Sequence, residues 1–207
     1  MKKILGRSCG LAFTLSPSPS FTDAGTEHYL GIFNSSNDGN ETNHIFAVEF
    51  DTVNGHNEKD DRRGNHVGIN INSVSSIYLE PAFYFVNGTK EELALEGDKP
   101  IHAWIDYDGV QKILNVTICP LEEEKPKESL ISAHIDLTTV VKETMYVGFS
   151  ASTGRKSSSH YILGWSFSTN GEAPALNISQ LPTAPGEKSS SNSWKPRSLS
   201  LLLLYLL

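Results

Sequence analysis

Apolar and polar residues alternate in short runs along most of the chain. In His102-Ala103-Trp104-Ile105-Asp106-Tyr107, residues Ala103, Ile105 and Tyr107 fall on one face, because successive strand side chains point to opposite sides. Val48-Glu49-Phe50-Asp51 alternates in the same way, with the two acids on one side and the two apolar residues on the other. Bounded by Gly, Asn, Asp, Ser and Pro, such runs predict strands over 11–15, 29–33, 45–51, 66–72, 102–107, 113–118, 132–136, 146–152 and 161–168. Asp108-Gly109, between two of these runs, is a hairpin signal. Only 137–142 looks helical, and it is too short to shape the fold. The pattern predicts an all-β, two-sheet sandwich of jelly-roll type.

A chain of 207 residues leads one to expect a single domain with a sizeable core. Its net charge of −7 argues against nucleic acid as a partner, since no basic stripe is available to meet phosphates. Two cysteines, Cys9 and Cys119, make no disulfide framework, and without a CxxC they read as free core thiols. Asn34, Asn40, Asn87, Asn115 and Asn177 each open an Asn-x-Ser/Thr sequon, which tilts the chain toward the secretory route and marks candidate glycosylation sites. Met1-Lys2-Lys3 resembles a signal-peptide start, yet Arg7 breaks the apolar stretch that such a start needs, and the run 11–15 is short. That run reads better as the first strand. At the other end, 183–198 is a Pro/Ser/Lys-rich linker and 199–207 is almost wholly leucine. The tail has about half of the ~20 residues a membrane span needs. A membrane association, a glycolipid-anchor signal and a frayed apolar end all stand open for it.

The chemistry concentrates between Val48 and Ser73. Glu49 and Asp51 share a strand face, the loop 54–65 adds Asp60 and Asp61, and His66 opens a second strand that can return beside the first. Carboxylate oxygens with one imidazole suit a divalent metal: calcium for the hard oxygens, a transition ion where the histidine enters. The plainer alternative is a set of solvated acids and a histidine bonded to a backbone carbonyl. A jelly-roll glycoside hydrolase is a rival, because such glucanases use a Glu-x-Asp-x-(x)-Glu strand. Here Val53 and Asn54 stand where the third acid belongs, so the general acid is lacking.

Taken in order, several strings carry a family likeness. They are Gly10-Leu11-Ala12-Phe13-Thr14-Leu15-Ser16-Pro17, Tyr29-Leu30-Gly31-Ile32-Phe33-Asn34 and Val48-Glu49-Phe50-Asp51-Thr52. They continue with Asn65-His66-Val67-Gly68-Ile69, Val147-Gly148-Phe149-Ser150-Ala151-Ser152-Thr153-Gly154 and Gly164-Trp165-Ser166-Phe167. Together the strings resemble a legume-type (L-type) lectin domain, most like the extracellular domain of plant L-type lectin receptor kinases. The likeness covers 8–182, after an atypical stretch at 1–7. It implies a concanavalin-like jelly-roll sandwich, incomplete at its N-terminal strands. No kinase signature such as a Gly-rich phosphate loop or His-Arg-Asp occurs.

The resemblance also implies ligands. Glu49, Asp51 and His66 would hold Mn2+ together with a loop aspartate, which is Asp60 counted from Asp51 and Asp61 counted back from His66. Asp51 and that aspartate would bridge to Ca2+, with the Val53 carbonyl adding one oxygen. The calcium-binding asparagine of the family falls at Gly55 or His56, with Asn57 just beyond. The family's sugar-binding aspartate is replaced by Cys9, and a thiol is a weak hydrogen-bond partner. Arg155, Lys156 and Ser157 match the variable specificity loop, where two cations would favour an acidic or non-sugar ligand. The implied function is binding of glycan or cell-wall carbohydrate at the cell surface, non-enzymatic and with weakened or lost affinity. The second expectation is a non-sugar interaction module that associates with lectin receptor kinases.

Overall fold

The computed structural model describes residues 9–52, 64–97, 99–153, 158–183 and 197–202. Among the described residues, twelve strands account for most of the regular structure: β1 (Cys9–Ser16), β2 (Phe46–Asp51), β3 (His66–Ile71), β4 (Ser76–Pro81), β5 (Phe83–Val86) and β6 (Thr89–Glu92). The rest are β7 (Ile101–Asp108), β8 (Ile113–Pro120), β9 (Ile131–His134), β10 (Tyr146–Thr153), β11 (Ser158–Ile162) and β12 (Arg197–Leu202). The chain forms two compact units, Met1–Pro81 with Leu137–Ser158 and Ala82–Asp136 with Ser159–Leu207.

The first unit holds an antiparallel sheet in the order β10-β1-β2-β3-β4. Its alternation is the one the sequence predicts. Phe46, Val48 and Phe50 of β2, Val67 and Ile69 of β3, and Phe13 of β1 are all fully buried. Phe13 lies opposite Phe149 of β10, and their rings meet edge to face at 6.0 Å. Along the other face, small residues make room for a loop. Leu30, Ile32, Phe33 and Ile45 pack with Ala12 and Ala47, flanked by Phe21, Tyr29 and Val74.

That packing corrects the expected strand at 29–33. The segment is a plug, not a strand: a 3-10 turn at Glu27–Tyr29 is followed by Leu30 and Gly31 at φ 54° and 67°. The left-handed pair turns the chain back, so that the Ile32 and Phe33 amides donate to the Tyr29 carbonyl at 2.9 and 3.1 Å. A side chain at Gly31 would put its Cβ 2.7 Å from the Ala151 carbonyl oxygen as well as straining the backbone. The apolar content of the run was legible, but its period was not, because the plug is buried without being extended.

In the second unit the sheet order is β11-β12-β7-β8-β9, with β5 and β6 forming a separate hairpin. Asp108-Gly109 does begin the turn between β7 and β8, where Asp108 Oδ1 accepts the amides of Val110 and Gln111, both at 2.9 Å. Ala103 and Ile105 are buried on the predicted face, and Tyr107 donates its hydroxyl to the Ile135 carbonyl at 3.1 Å. Opposite Ile101 and Ala103 across the hairpin stand Pro120 and Ile118. The expected strand at 161–168 is largely not formed: β11 (Ser158–Ile162) shares only Tyr161 and Ile162 with it, and Leu163 then packs against Leu121, Tyr161, Leu176 and Leu181. At 137–142 there is a 3-10 turn, Leu137–Thr139.

Strands β4, β5, β6 and β12 were not predicted. The β5–β6 hairpin turns on Asn87 and Gly88 at φ 51° and 81°, the two positive angles of the turn that Asn-Gly favours. β12 uses the first part of the leucine tail and pairs in parallel with β7, Leu201 opposite Ile101 and Leu202 opposite His102. Residues 203–207 lie outside the described ones. Among the described residues no helix is long and apolar enough to cross a membrane.

Two buried groups on β7 and β8 carry shifted protonation equilibria. His102 stacks on Trp104 at 3.7 Å, and both of its ring nitrogens are buried without a hydrogen-bond partner. Burial, then the Lys125 ammonium, lowers its pKa from 6.5 to about 4. Opposite it, Cys119 is a buried free thiol, pushed up to about 12 by burial and by the Glu123 carboxylate. This is the inert core thiol expected of it.

Candidate functional site

Strand register assembles the acidic and imidazole groups. β2 and β3 are antiparallel neighbours, with Asp51 opposite His66 and Glu49 opposite Gly68. Directly opposed residues share a face, so Glu49, Asp51 and His66 project to the same side. Glu49 and His66 are 7% and 5% exposed, which demands that their polar atoms find partners. They do: His66 Nε2 lies 3.0 Å from Glu49 Oε1, and His66 Nδ1 lies 3.9 Å from Asp51 Oδ2.

The second oxygen of Glu49 is held by a residue that sequence reasoning missed. Asn70, fully buried two positions beyond Gly68 on β3, donates from Nδ2 to Glu49 Oε2 at 2.9 Å and to the Val74 carbonyl at 3.0 Å. Its Oδ1 accepts from the Ser76 hydroxyl at 3.3 Å. Both amide groups are thus used, as a buried asparagine requires. Gly68 leaves the space: a Cβ there would sit 2.3 Å from Ser76 Oγ and 3.0 Å from Glu49 Cγ. The signal was available in the two-residue period, which puts 66, 68 and 70 on one face. The turn after β3 is fastened in turn, with Asp38 Oδ1 accepting from Ser73 Oγ at 2.9 Å and from the Val74 amide at 2.8 Å.

Of the predicted ligands, Glu49, Asp51 and His66 are therefore brought together. Val53, Gly55, His56, Asn57, Asp60 and Asp61 lie outside the described residues, as do Arg155, Lys156 and Ser157 of the expected specificity loop. The backbone of Cys9 opens β1 opposite Thr153, at the same end of the sheet as Asp51, which pairs with Gly10. Among the described residues there is no group of three or more His, Cys, Asp and Glu side chains placed to hold a metal ion. The imidazole stands between the two carboxylates, one on each ring nitrogen. In donor type the set fits a divalent transition ion, two carboxylates and one imidazole within a single face.

Comparison with known proteins agrees with this all-β architecture. The family model described as "Legume lectin domain" matches residues 3–183. A probable L-type lectin-domain containing receptor kinase VI.1 of Arabidopsis thaliana is 51% identical over 85% of this chain and 26% of its own length. The rice (Oryza sativa subsp. japonica) L-type lectin-domain containing receptor kinase SIT2 is 45% identical over 86% of this chain and 27% of its own. The chain thus spans about a quarter of the length of the curated relatives it matches.

Among solved structures, lectin I-B4 from Griffonia simplicifolia in its metal-free form superposes with a TM-score of 0.52 and 29% identity, over 73% of this chain and 59% of the lectin. A lectin from Bauhinia forficata in complex with GalNAc gives 0.51 and 25%, over 72% of this chain and 60% of that one. These neighbours share its all-β, jelly-roll class. They are carbohydrate-binding proteins without catalytic function, in line with the missing third acid after Glu49. The chain belongs to the legume lectin domain family.

Proposed function

We propose that the chain is a cell-surface carbohydrate-binding domain in which Glu49, Asp51 and His66 hold a manganese-class ion next to a calcium. The calcium ligands in this reading are Asp51, the Val53 carbonyl, Asn57 and one of Asp60 and Asp61. The observation that carries it is the approach of His66 to both carboxylates, 3.0 Å from Glu49 and 3.9 Å from Asp51. When bound, the two ions supply fixed positive charge that stiffens the loop between β2 and β3. Glu49 is the anchor of the set, since Asn70 fixes one of its oxygens and leaves the other facing the imidazole. A loop ordered beforehand meets a sugar with little further entropy cost.

Sugar affinity is weakened in this reading by Cys9, which stands where the family resemblance calls for a carboxylate. Leaving a sugar hydroxyl without that acceptor costs about 1–3 kcal/mol. Titration calorimetry with Mn2+ and Ca2+, followed by a glycan array with both ions present, tests the proposal. Metal uptake with weak array signals is the expected result. Absence of metal uptake overturns the ion assignment, and strong binding to simple sugars overturns the weakened site.

The identity to receptor-kinase lectin domains favours a second reading, an extracellular module that associates with such receptors. Capture of full-length lectin receptor kinases from plant membranes, undiminished by competing sugar and by chelator, distinguishes it from the first.

A further inference from the structure

We propose that Asn34, Asn40, Asn87 and Asn177 accept N-linked oligosaccharide and that Asn115 stays bare. The inference rests on the extracellular reading above only for the compartment, and the difference among the five positions comes from the fold.

In three of the loop sequons the acceptor tripeptide is bent into one geometry. The Ser36 hydroxyl lies 2.6 Å from Asn34 Oδ1, the Thr42 hydroxyl 2.8 Å from Asn40 Oδ1 and the Ser179 hydroxyl 2.7 Å from Asn177 Oδ1. In each case the hydroxyl residue also donates its amide to the same oxygen, at 2.8, 3.0 and 3.2 Å. Two donors on Oδ1 draw charge from the amide and favour loss of a proton from Nδ2. Asn40 and Asn177 are exposed. Asn34 is half-buried, but one of its two Nδ2 hydrogens serves the Asp23 carbonyl at 3.0 Å, which leaves the other for replacement. Asn87 is exposed at the tip of the β5–β6 hairpin.

Asn115 is differently placed. It sits inside β8, opposite Asp106 of β7 on one side and Ser132 of β9 on the other. The hydroxyl its sequon depends on, that of Thr117, is buried and donates to Ser129 Oγ at 3.2 Å. A transferase must draw the tripeptide out of its sheet, which breaks pairing on both edges.

The reaction at each loop site joins Asn Nδ2 to the anomeric carbon of an oligosaccharide carried on a polyprenyl diphosphate. The C–O bond to the diphosphate breaks, the diphosphate leaves with the electron pair, and Nδ2 gives up one proton to the transferase.

The test is translation of the full chain, behind a cleavable secretory leader, with endoplasmic-reticulum microsomes. Protease protection identifies the imported fraction. That fraction should show up to four endoglycosidase-sensitive mobility steps, with Asn34→Gln, Asn40→Gln, Asn87→Gln and Asn177→Gln each removing one. Neither Asn115→Gln nor Thr117→Val should remove any. A step lost in both of the last two variants overturns the proposal, as does imported chain with no steps. Because import is supplied by the leader, failure of the natural chain to reach the cell surface is a separate result.

Discussion

Asn70 is where a single side chain decides the quality of the candidate metal site. Its amide holds Glu49 Oε2 at 2.9 Å and is itself fixed by Ser76 and Val74. Groups that orient a metal ligand typically change affinity by about 10–100-fold when removed. Asn70→Leu is therefore expected to weaken Mn2+ binding by about that factor in calorimetric titration, while Asn40→Leu, at an exposed surface loop, leaves it unchanged. His102 sets a second residue-level expectation. Folded, it stays neutral down to about pH 4; unfolded, it takes up a proton near pH 6.5. Its contribution to stability is complete above about pH 6.5 and is lost as the pH falls toward about 4, because the unfolded chain then binds the extra proton. Thermal melts across that range should slope downward on acidification, and His102→Phe, which preserves the stack on Trp104, should flatten the slope relative to the parent.

For the elements, alternation was a good guide wherever a strand has one apolar face or two. β1, β2, β3, β7, β8, β9 and β10 all fall on predicted runs. It failed at 29–33, where an equally apolar run is buried as a turn by Leu30 and Gly31 at positive φ. It failed also at β5 and β6, whose polar second strand hides the alternation, although Asn87-Gly88 announced their turn. The candidate site was legible as far as Glu49, Asp51 and His66, since strand period puts Glu49 and Asp51 on one side and the β2–β3 register brings His66 to it. Asn70 and Ser76 were missed because an uncharged buried amide leaves no mark in composition, and only the β3–β4 register opposes them. The packing of β1 against β10 gives a direct check. Phe13→Ala removes a fully buried ring with its edge-to-face partner Phe149, and is expected to cost about 3–5 kcal/mol in urea unfolding with an unchanged slope.

At the scale of the whole molecule, bound ions and stability are linked through mass action. If Glu49, Asp51 and His66 hold a cation only when folded, ion at 100 times its dissociation constant stabilises by about 2.7 kcal/mol. For a chain of this size that corresponds to about 5–10 °C in Tm. Excess EDTA should lower the melting midpoint by that amount, and Glu49→Gln should abolish the response.

The carboxyl-terminal strand has a practical bearing on any such experiment. β12 lies between β11 and β7 in the sheet, so a cut just before it removes an interior stave and leaves two raw edges facing each other. Protein ending at residue 196 should elute as higher-order species in size-exclusion chromatography relative to the full chain.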